Sequence, residues 1–323
     1  MGGYGRVMSY RELRAPAALA GLVECGWTDT ATADAAHQVL PDGCMDLVWT
    51  GAELLVAGPD TVAYHGTRTR GVTVAGLRFL PGALPSLLAV PAAPLHNRRV
   101  ALVELVPGPA KAALARLEEG EEPVAVLAAL ATRLPGAPPD RSVAALRGAL
   151  APASLGPAPG GIARSGWWAG APSGLWARAG TTPSGALANA GTTPRGLWTN
   201  AGTALARRPV ARAADRSAHA LDGDGSVAAI ADALGCTPRS VHRRCLASFG
   251  YGPAVLRRVL RFRQAAALLR AGVSPAEVAA AAGYADQPHL SRETRALAGA
   301  SPGQLAGGAK RSTPLPSGSS TMA

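Results

Sequence analysis

The sequence predicts a multidomain chain: an N-terminal α+β domain, a low-complexity linker and a C-terminal all-α domain. Three observations support this prediction. Short β-type runs, separated by turn residues and followed by two helical stretches, fill residues 10–135. Glycine, proline and alanine dominate residues 136–221. Helical periodicity returns in residues 222–306, and residues 307–323 are predicted to be a disordered tail.

The N-terminal domain begins with five predicted strands, which are separated by turn signals such as Pro41-Asp42-Gly43. The strands are predicted at Leu22–Thr28, Gln38–Leu40, Met45–Thr50, Glu53–Ala57 and Val72–Phe79. Two helices are predicted after them, at Ala83–Ala89 and Ala110–Leu134. Strands followed by helices are typical of an α+β domain.

A polar group in this domain is a candidate effector site. Cys44 and Asp46 lie two residues apart on a predicted strand, so their side chains point to the same face. The hypothesis is a pocket for a small polar or anionic effector, lined by Trp27, Cys44, Asp46, Trp49 and Arg78. In the alternative, Cys44 packs and Asp46 bonds backbone groups. Because histidines are few and the cysteines are isolated, neither a metal nor a cofactor is expected.

The linker contains an eleven-residue repeat, with copies that begin at Pro172, Pro183 and Pro194. So much glycine and proline leaves neither helical nor strand periodicity, and the segment is predicted to be largely disordered. The alternative is a basic, tryptophan-containing segment that stacks on nucleic acid.

The C-terminal domain opens with a helix-turn-helix pattern. Apolar residues recur at helical spacing before Gly235, which can take the left-handed conformation that ends a helix. Thr237 then lies at an N-cap position. Because Val241 and Cys245, four residues apart, face inward, the polar side chains of this second helix face outward. These side chains are Arg239, His242, Arg243 and Arg244.

A second pattern follows the same design. Ser274 caps one helix, Gly283 ends it, and Asp286 caps the next. The polar side chains of that last helix are Gln287, His289, Arg292 and Arg295. The segment between the two patterns, from about Pro253 to Ala271, is rich in strong helix formers. We therefore predict that one helix connects the two patterns. One of its faces is predicted to meet phosphates through Arg257, Arg258 and Arg261.

This arrangement of helices suits binding to double-stranded DNA. The second helix of such a unit lies in the major groove, while the first crosses the backbone. Arginine pairs bidentately with guanine, and glutamine pairs with adenine. Two units on a rigid connecting helix can read successive grooves, about 34 Å apart on one face of the duplex. The alternative interpretation is an ordinary helical bundle with solvated arginines.

The helical domain resembles the DNA-binding domain of the AraC/XylS family of bacterial transcription regulators. The resemblance covers about Gly225 to Ala306 and is most specific in GYADQPHLSRETRALAGASPGQL. It implies a sequence-specific regulator that acts on RNA polymerase at promoters. It also implies base contacts from Arg239, His242, Arg243, Gln287, His289 and Arg292.

Residues from about Arg11 to Leu134 are similar to an N-terminal domain of uncharacterised function found on AraC-type regulators, most clearly around Leu40–Trp49. The similarity implies a small, cupin-like β-barrel with a sensing or dimerisation role. A small-molecule effector and a homodimer are therefore expected partners, although the similarity names no ligand. Because both helix-turn-helix patterns and their connecting helix lie within residues 222–306, we expect this part to fold and to bind DNA alone. It should bind more weakly than the full chain, which gains affinity if residues 10–135 dimerise.

Charge and composition agree with a DNA-binding helical half. The net charge is +11, but residues 1–135 contain 11 basic and 13 acidic side chains, whereas residues 222–323 contain 12 and 6. The basic excess therefore lies where a polyanion binds. The four single cysteines form no C-x-x-C pair. Because no signal peptide or membrane span is visible in the sequence, the expected compartment is the cytoplasm.

Three other functions compete with a sequence-specific regulator. The basic charge alone fits a nonspecific or architectural DNA-binding protein. A decayed regulator fits the expanded repeat and two positions, Cys245 and Thr294, where the family usually buries phenylalanine. The enzyme alternative is a DNA-repair alkyl acceptor, but its zinc-binding cysteine cluster and Pro-Cys-His motif are absent from the sequence. The chain is therefore not expected to be an enzyme.

Overall fold

A computed structural model of the chain describes residues 10–152 and 226–310. The N-terminal domain is built on an antiparallel six-stranded sheet of order β1-β2-β7-β4-β5-β8, beside a two-stranded sheet formed by β3 and β6. The strands are β1 (Arg11–Arg14), β2 (Val23–Thr30), β3 (Ala35–Val39), β4 (Met45–Trp49), β5 (Leu54–Ala57), β6 (Tyr64–Arg68), β7 (Thr73–Phe79) and β8 (Arg99–Ala101). The helices of this domain are α1 (Leu84–Leu88), α2 (Leu102–Leu105), α3 (Pro107–Glu118) and α4 (Pro123–Ala131).

Alternation along the strands divides the large sheet into an apolar and a polar face. On β4, Met45 and Leu47 join the core, whereas Asp46 points to the other side. Helices α3 and α4 cover the apolar face, and α4 packs directly on β2 and β7. The approach is close at Gly26, because a Cβ built there would lie 2.6 Å from Val124. The polar face is thereby left for other contacts.

The N-terminal domain is sheet-rich as predicted, and it differs from the prediction in three details. The described strands form an open sheet rather than the closed barrel that the family similarity implied. The helix predicted at Ala110–Leu134 is two helices, because Gly120 has a φ of +86° and Glu122 caps the next helix through the amides of Val124 and Ala125. The strands that pattern reasoning missed, β1, β6 and β8, are short and rich in polar residues.

The C-terminal domain contains the helices that the sequence predicts for the two helix-turn-helix units. Ser226, Thr237, Ser274 and Asp286 each cap a helix through a side-chain oxygen, as the sequence predicts for the last three. The first unit is α6 (Val227–Ala233) and α7 (Pro238–Phe249), and the connecting helix is α8 (Pro253–Arg270). The second unit is α9 (Pro275–Ala281) and α10 (Gln287–Ala298), followed by α11 (Pro302–Lys310).

The predicted linker begins too early. Residues Arg141–Leu150 form a helix, α5, that Asp140 caps. Its buried side chains Val143, Leu146 and Leu150 share a core cluster with the first helix-turn-helix unit. Apolar residues at i, i+3 and i+7 explain this packing, but the high alanine and glycine content around them concealed the pattern. The eleven-residue repeat lies outside the described residues, and the start of the predicted tail is part of α11.

The membership of α5 in this core gives a first prediction. Leu146 has no exposed surface, so Leu146→Ala should lower the free energy of unfolding by about 2–5 kcal/mol through lost burial and a cavity. Urea unfolding of the full chain measures it. The matched control Ala144→Lys, at an exposed position of the same helix, should change stability by no more than about 0.5 kcal/mol. Equal effects of the two variants would contradict the placement of α5.

Within the described part of the chain, no helix has both the length and the apolar character needed to cross a membrane.

Candidate nucleic-acid interface

The second helix of each unit is amphipathic, with one face in the core and one in solvent. In α7, Val241 and Cys245 are buried, and in α10 Leu290 and Thr294 are buried. The hydroxyl of Thr294 donates to the carbonyl of Leu290 at 2.7 Å, which satisfies this buried polar group. The opposite faces expose most of the predicted DNA-contacting side chains, namely Arg239, His242, Arg243 and Arg244 on α7 and Gln287, Arg292 and Arg295 on α10.

The exposed arginines of these two helices are free to bind an anion. None of the five pairs with an acidic side chain among the described residues. A guanidinium without an intramolecular partner offers its full donor fork to guanine or phosphate. The arrangement therefore presents two basic helix faces, one from each unit.

The rings of His242 and His289 are less available for contacts with DNA than the exposed arginines are. The backbone amide of Ala285 donates to Nδ1 of His289 at 3.4 Å, and the ring packs edge-on against Tyr284 with centroids 5.2 Å apart. The ring of His242 lies against the start of α8, where a Cβ on Gly252 would be 2.9 Å from its Nε2. Both rings thus contact their own domain, which favours a role in holding the turns.

Two arginines of the connecting helix hold the second unit in place. Nε of Arg258 donates to the carboxylate of Glu293 on α10 at 2.6 Å. The guanidinium of Arg261 lies 4.6 Å from the ring centroid of Tyr284 and also approaches the carbonyl of Gly283 at 3.4 Å. We therefore assign both side chains to packing between α8 and the second unit rather than to the predicted phosphate contacts. Arg257 is half-buried.

This assignment is testable through the salt dependence of DNA binding. A phosphate contact contributes about one unit to the slope of log affinity against log salt. We expect Arg261→Ala to leave that slope unchanged and to lower the melting temperature, because the contacts with Tyr284 and Gly283 are lost. Fluorescence anisotropy across a salt series measures the slope. A slope reduced by about one, with an unchanged melting temperature, would restore the phosphate assignment.

The predicted effector residues meet on the polar face of the large sheet, with one exception. Arg78 on β7 is paired with Cys25 on β2 and with Asp46 on β4, so these three side chains lie side by side. The indole of Trp27 lies over Gly76, where a Cβ would clash at 2.4 Å, and donates to Asp46 at 3.1 Å. Trp49 is the exception, because it lies on the opposite face of β4 and packs on the core.

The charges of this cluster are buried. Nε of Arg78 lies 3.6 Å from Asp46 and 3.7 Å from Asp42. Burial raises the pKa of Asp46 to about 6, against the opposing effects of Arg78 and of the Trp27 hydrogen bond. Burial disfavours the charged form of Arg78, but Asp46 and Asp42 outweigh it and raise the pKa of the guanidinium. Arg78 therefore stays charged, and the pKa of Asp46 lies well above the ordinary value for an aspartate.

Cys44 connects this cluster to the helical domain. Its Sγ lies 3.5 Å from a carboxylate oxygen of Glu24 and 3.3 Å from a guanidinium nitrogen of Arg263 on α8. Arg263 also forms an ion pair with Glu24. Sequence reasoning missed Glu24 and Arg263, because nothing local marks two residues that are 239 positions apart.

A small cavity adjoins the cluster and has a volume of about 30 Å³. It is enough for roughly two water molecules, since one water needs about 10–15 Å³. A larger effector therefore needs a shift of the surrounding side chains. Among its lining residues are the charged side chains of Asp42, Asp46, Asp60, Arg78 and Arg99. Among the described residues, no group of three or more His, Cys, Asp or Glu side chains is placed to hold a metal ion.

Two family models match separate parts of the chain. Residues 230–307 match a helix-turn-helix domain of the AraC type, and residues 11–101 match a domain of unknown function, DUF6597. No curated protein and no solved structure shows significant similarity to the chain. The fold and the exposed basic helices thus define a helix-turn-helix DNA-binding protein. More narrowly, an AraC-type helix-turn-helix domain together with a DUF6597 domain is consistent with an AraC-family regulator that has an uncharacterised N-terminal domain.

Proposed function

We propose that this chain is a sequence-specific regulator whose helices α7 and α10 read successive major grooves of double-stranded DNA. The observation that carries the proposal is a pair of amphipathic helices whose exposed arginines have no acidic partner among the described residues, in two units joined by one continuous helix. Helix α8 has 18 residues and so spans about 27 Å. That length is close to the distance of about 34 Å that separates successive grooves on one face of the duplex.

Regulation follows from where the protein binds. A site beside the promoter lets the bound chain recruit RNA polymerase, and a site that overlaps the promoter occludes it. In this proposal a small polar effector binds at the cluster of Trp27, Cys44, Asp46 and Arg78, where its nearest link to the DNA-binding domain is Arg263. A homodimer that forms through residues 10–135 raises the effective concentration of the second DNA-binding domain.

Selection of bound sites from random DNA tests the proposal. We expect enrichment of one sequence, for which the affinity at fixed salt exceeds that for random DNA by about 10³-fold or more. Equal affinity for selected and random DNA would contradict the proposal and favour the architectural alternative. If the chain is folded but binds neither selected nor random DNA, the alternative of a decayed regulator is favoured.

A further inference from the structure

We propose that the N-terminal domain fixes the distance and the angle between the two DNA-reading helices, and thereby selects the half-site spacing that the protein binds. The inference rests on the proposed function, since it takes α7 and α10 as the reading helices. It is carried by three contacts, one with each reading helix and one with the helix between them.

The first contact is at the C-terminal end of α10. The backbone amide of Ala63 donates to the carbonyl of Leu297 at 2.8 Å. Nε2 of Gln38 donates to the carbonyl of Ala298 at 2.6 Å. Beside them, Leu40 packs into a buried cluster that contains Leu297 and Phe262 of the helical domain. Strand β3 and the residue before β6 thus provide the donors that the last carbonyls of α10 lack within the helix.

The second contact is at the last turn of α7. The backbone amide of Ala92 donates to the carbonyl of Ala247 at 2.7 Å. The next residue after the helix, Gly250, has a φ of +83°, and a Cβ there would lie 2.7 Å from the ring of Pro59. A side chain would therefore separate the two domains. Gly250 is needed both for the backbone conformation and for this close approach.

The third contact is in the middle of α8. Arg263 pairs with Glu24 and approaches Cys44 and the carbonyl of Asp42. Burial opposes the charged form of Arg263, but neighbouring groups, chiefly Cys44 and Glu24, outweigh it and raise its pKa. Separation of the domains would break this charge-assisted contact, which joins the middle of α8 directly to the N-terminal domain.

These contacts together constrain the reading helices more tightly than α8 alone. The C-terminal ends of α7 and α10 are both bonded to the N-terminal domain, which is itself held to α8 between them. One inserted base pair moves a half-site by about 3.4 Å and turns it by about 34–36° around the duplex. A pair of helices whose C-terminal ends are both held by one domain follows that change less readily than a pair held only by α8.

The experiment uses the full chain, the site obtained by selection, and copies of that site with one or two base pairs inserted or removed between the half-sites. The informative variant is Gln38→Glu, which keeps the shape of the side chain and removes the donor. Gln38→Ala is a second variant for the case in which the glutamate prevents folding. Thr67→Ala, at an exposed position of the same small sheet, is the matched control.

For the wild-type chain and Thr67→Ala, we expect one inserted base pair to lower affinity by about tenfold or more. For the Gln38 variants, the same insertion should cost only about threefold, while affinity for the original site changes little. An unchanged spacing profile, or an equal loss at every spacing, would overturn the inference alone. A wild-type chain with no preferred site would overturn the proposed function and this inference with it.

Discussion

Replacing Arg243 with alanine is expected to relax base selectivity at one half-site, and replacing Arg292 is expected to do so at the other. Both guanidinium groups are exposed on the reading helices and have no acidic partner among the described residues. A good bidentate pairing with a base discriminates by about 1–3 kcal/mol, which is roughly 5- to 150-fold in affinity. The positions affected should lie about one helical turn apart.

Competition binding against a panel of single-base variants of the selected site measures this effect. At the base position that the replaced arginine contacts, each mutant protein should bind the altered DNA sites with almost equal affinity. At all other positions it should discriminate between bases as the wild type does. Arg133→Ala is the control, because Arg133 is exposed in the N-terminal domain and far from the reading helices in sequence. Uniform weakening on all sequences would show that Arg243 and Arg292 contact phosphates, which carry no sequence information.

A fragment of residues 226–310 is expected to lack a cooperative unfolding transition at room temperature and above. The sequence alone predicted an autonomous domain at 222–306, but the structure places part of its core elsewhere. Val143, Leu146 and Leu150 are buried against the first unit, and each fully buried aliphatic side chain contributes about 1.5–3 kcal/mol. Their combined loss approaches the total stability of a small domain, which is about 5–15 kcal/mol.

Circular dichroism during thermal unfolding tests this expectation. A longer fragment of residues 138–310 restores α5 and should recover a cooperative transition. It still lacks Leu40, which packs on Phe262 and Leu297, so it should remain less stable than the full chain. A shorter fragment that unfolds cooperatively and binds the selected site with full affinity would show that the buried face of α5 is dispensable.

The two helix-turn-helix units could be predicted because their signals are local. The N-caps at Thr237, Ser274 and Asp286 and the turn glycines Gly235 and Gly283 each act within a few residues of their own position. The same period that buries one side of each reading helix exposes the other. The strongest DNA-contact candidates therefore follow from the sequence alone, and their base contacts remain predictions.

The contacts between separate elements could not be predicted, because they join residues that are distant in the sequence. Arg258 looks like a phosphate ligand on a basic helix, but its partner Glu293 is 35 residues away. The ion pair of Glu24 with Arg263 has no local signature either. The prediction that Trp49 lines the effector pocket is wrong, because strand alternation turns its side chain away from Asp46.

The central claim is that two helices of one chain read two major grooves, and methylation interference on the selected site tests it most directly. Methylation of guanine N7 blocks the major-groove edge to which arginine pairs. We expect two clusters of interfering guanines on one face of the duplex, centred about 10–10.5 base pairs apart. The Arg243→Ala protein should lose the first cluster of interfering guanines, and the Arg292→Ala protein should lose the second. A single cluster, or none, would contradict the account.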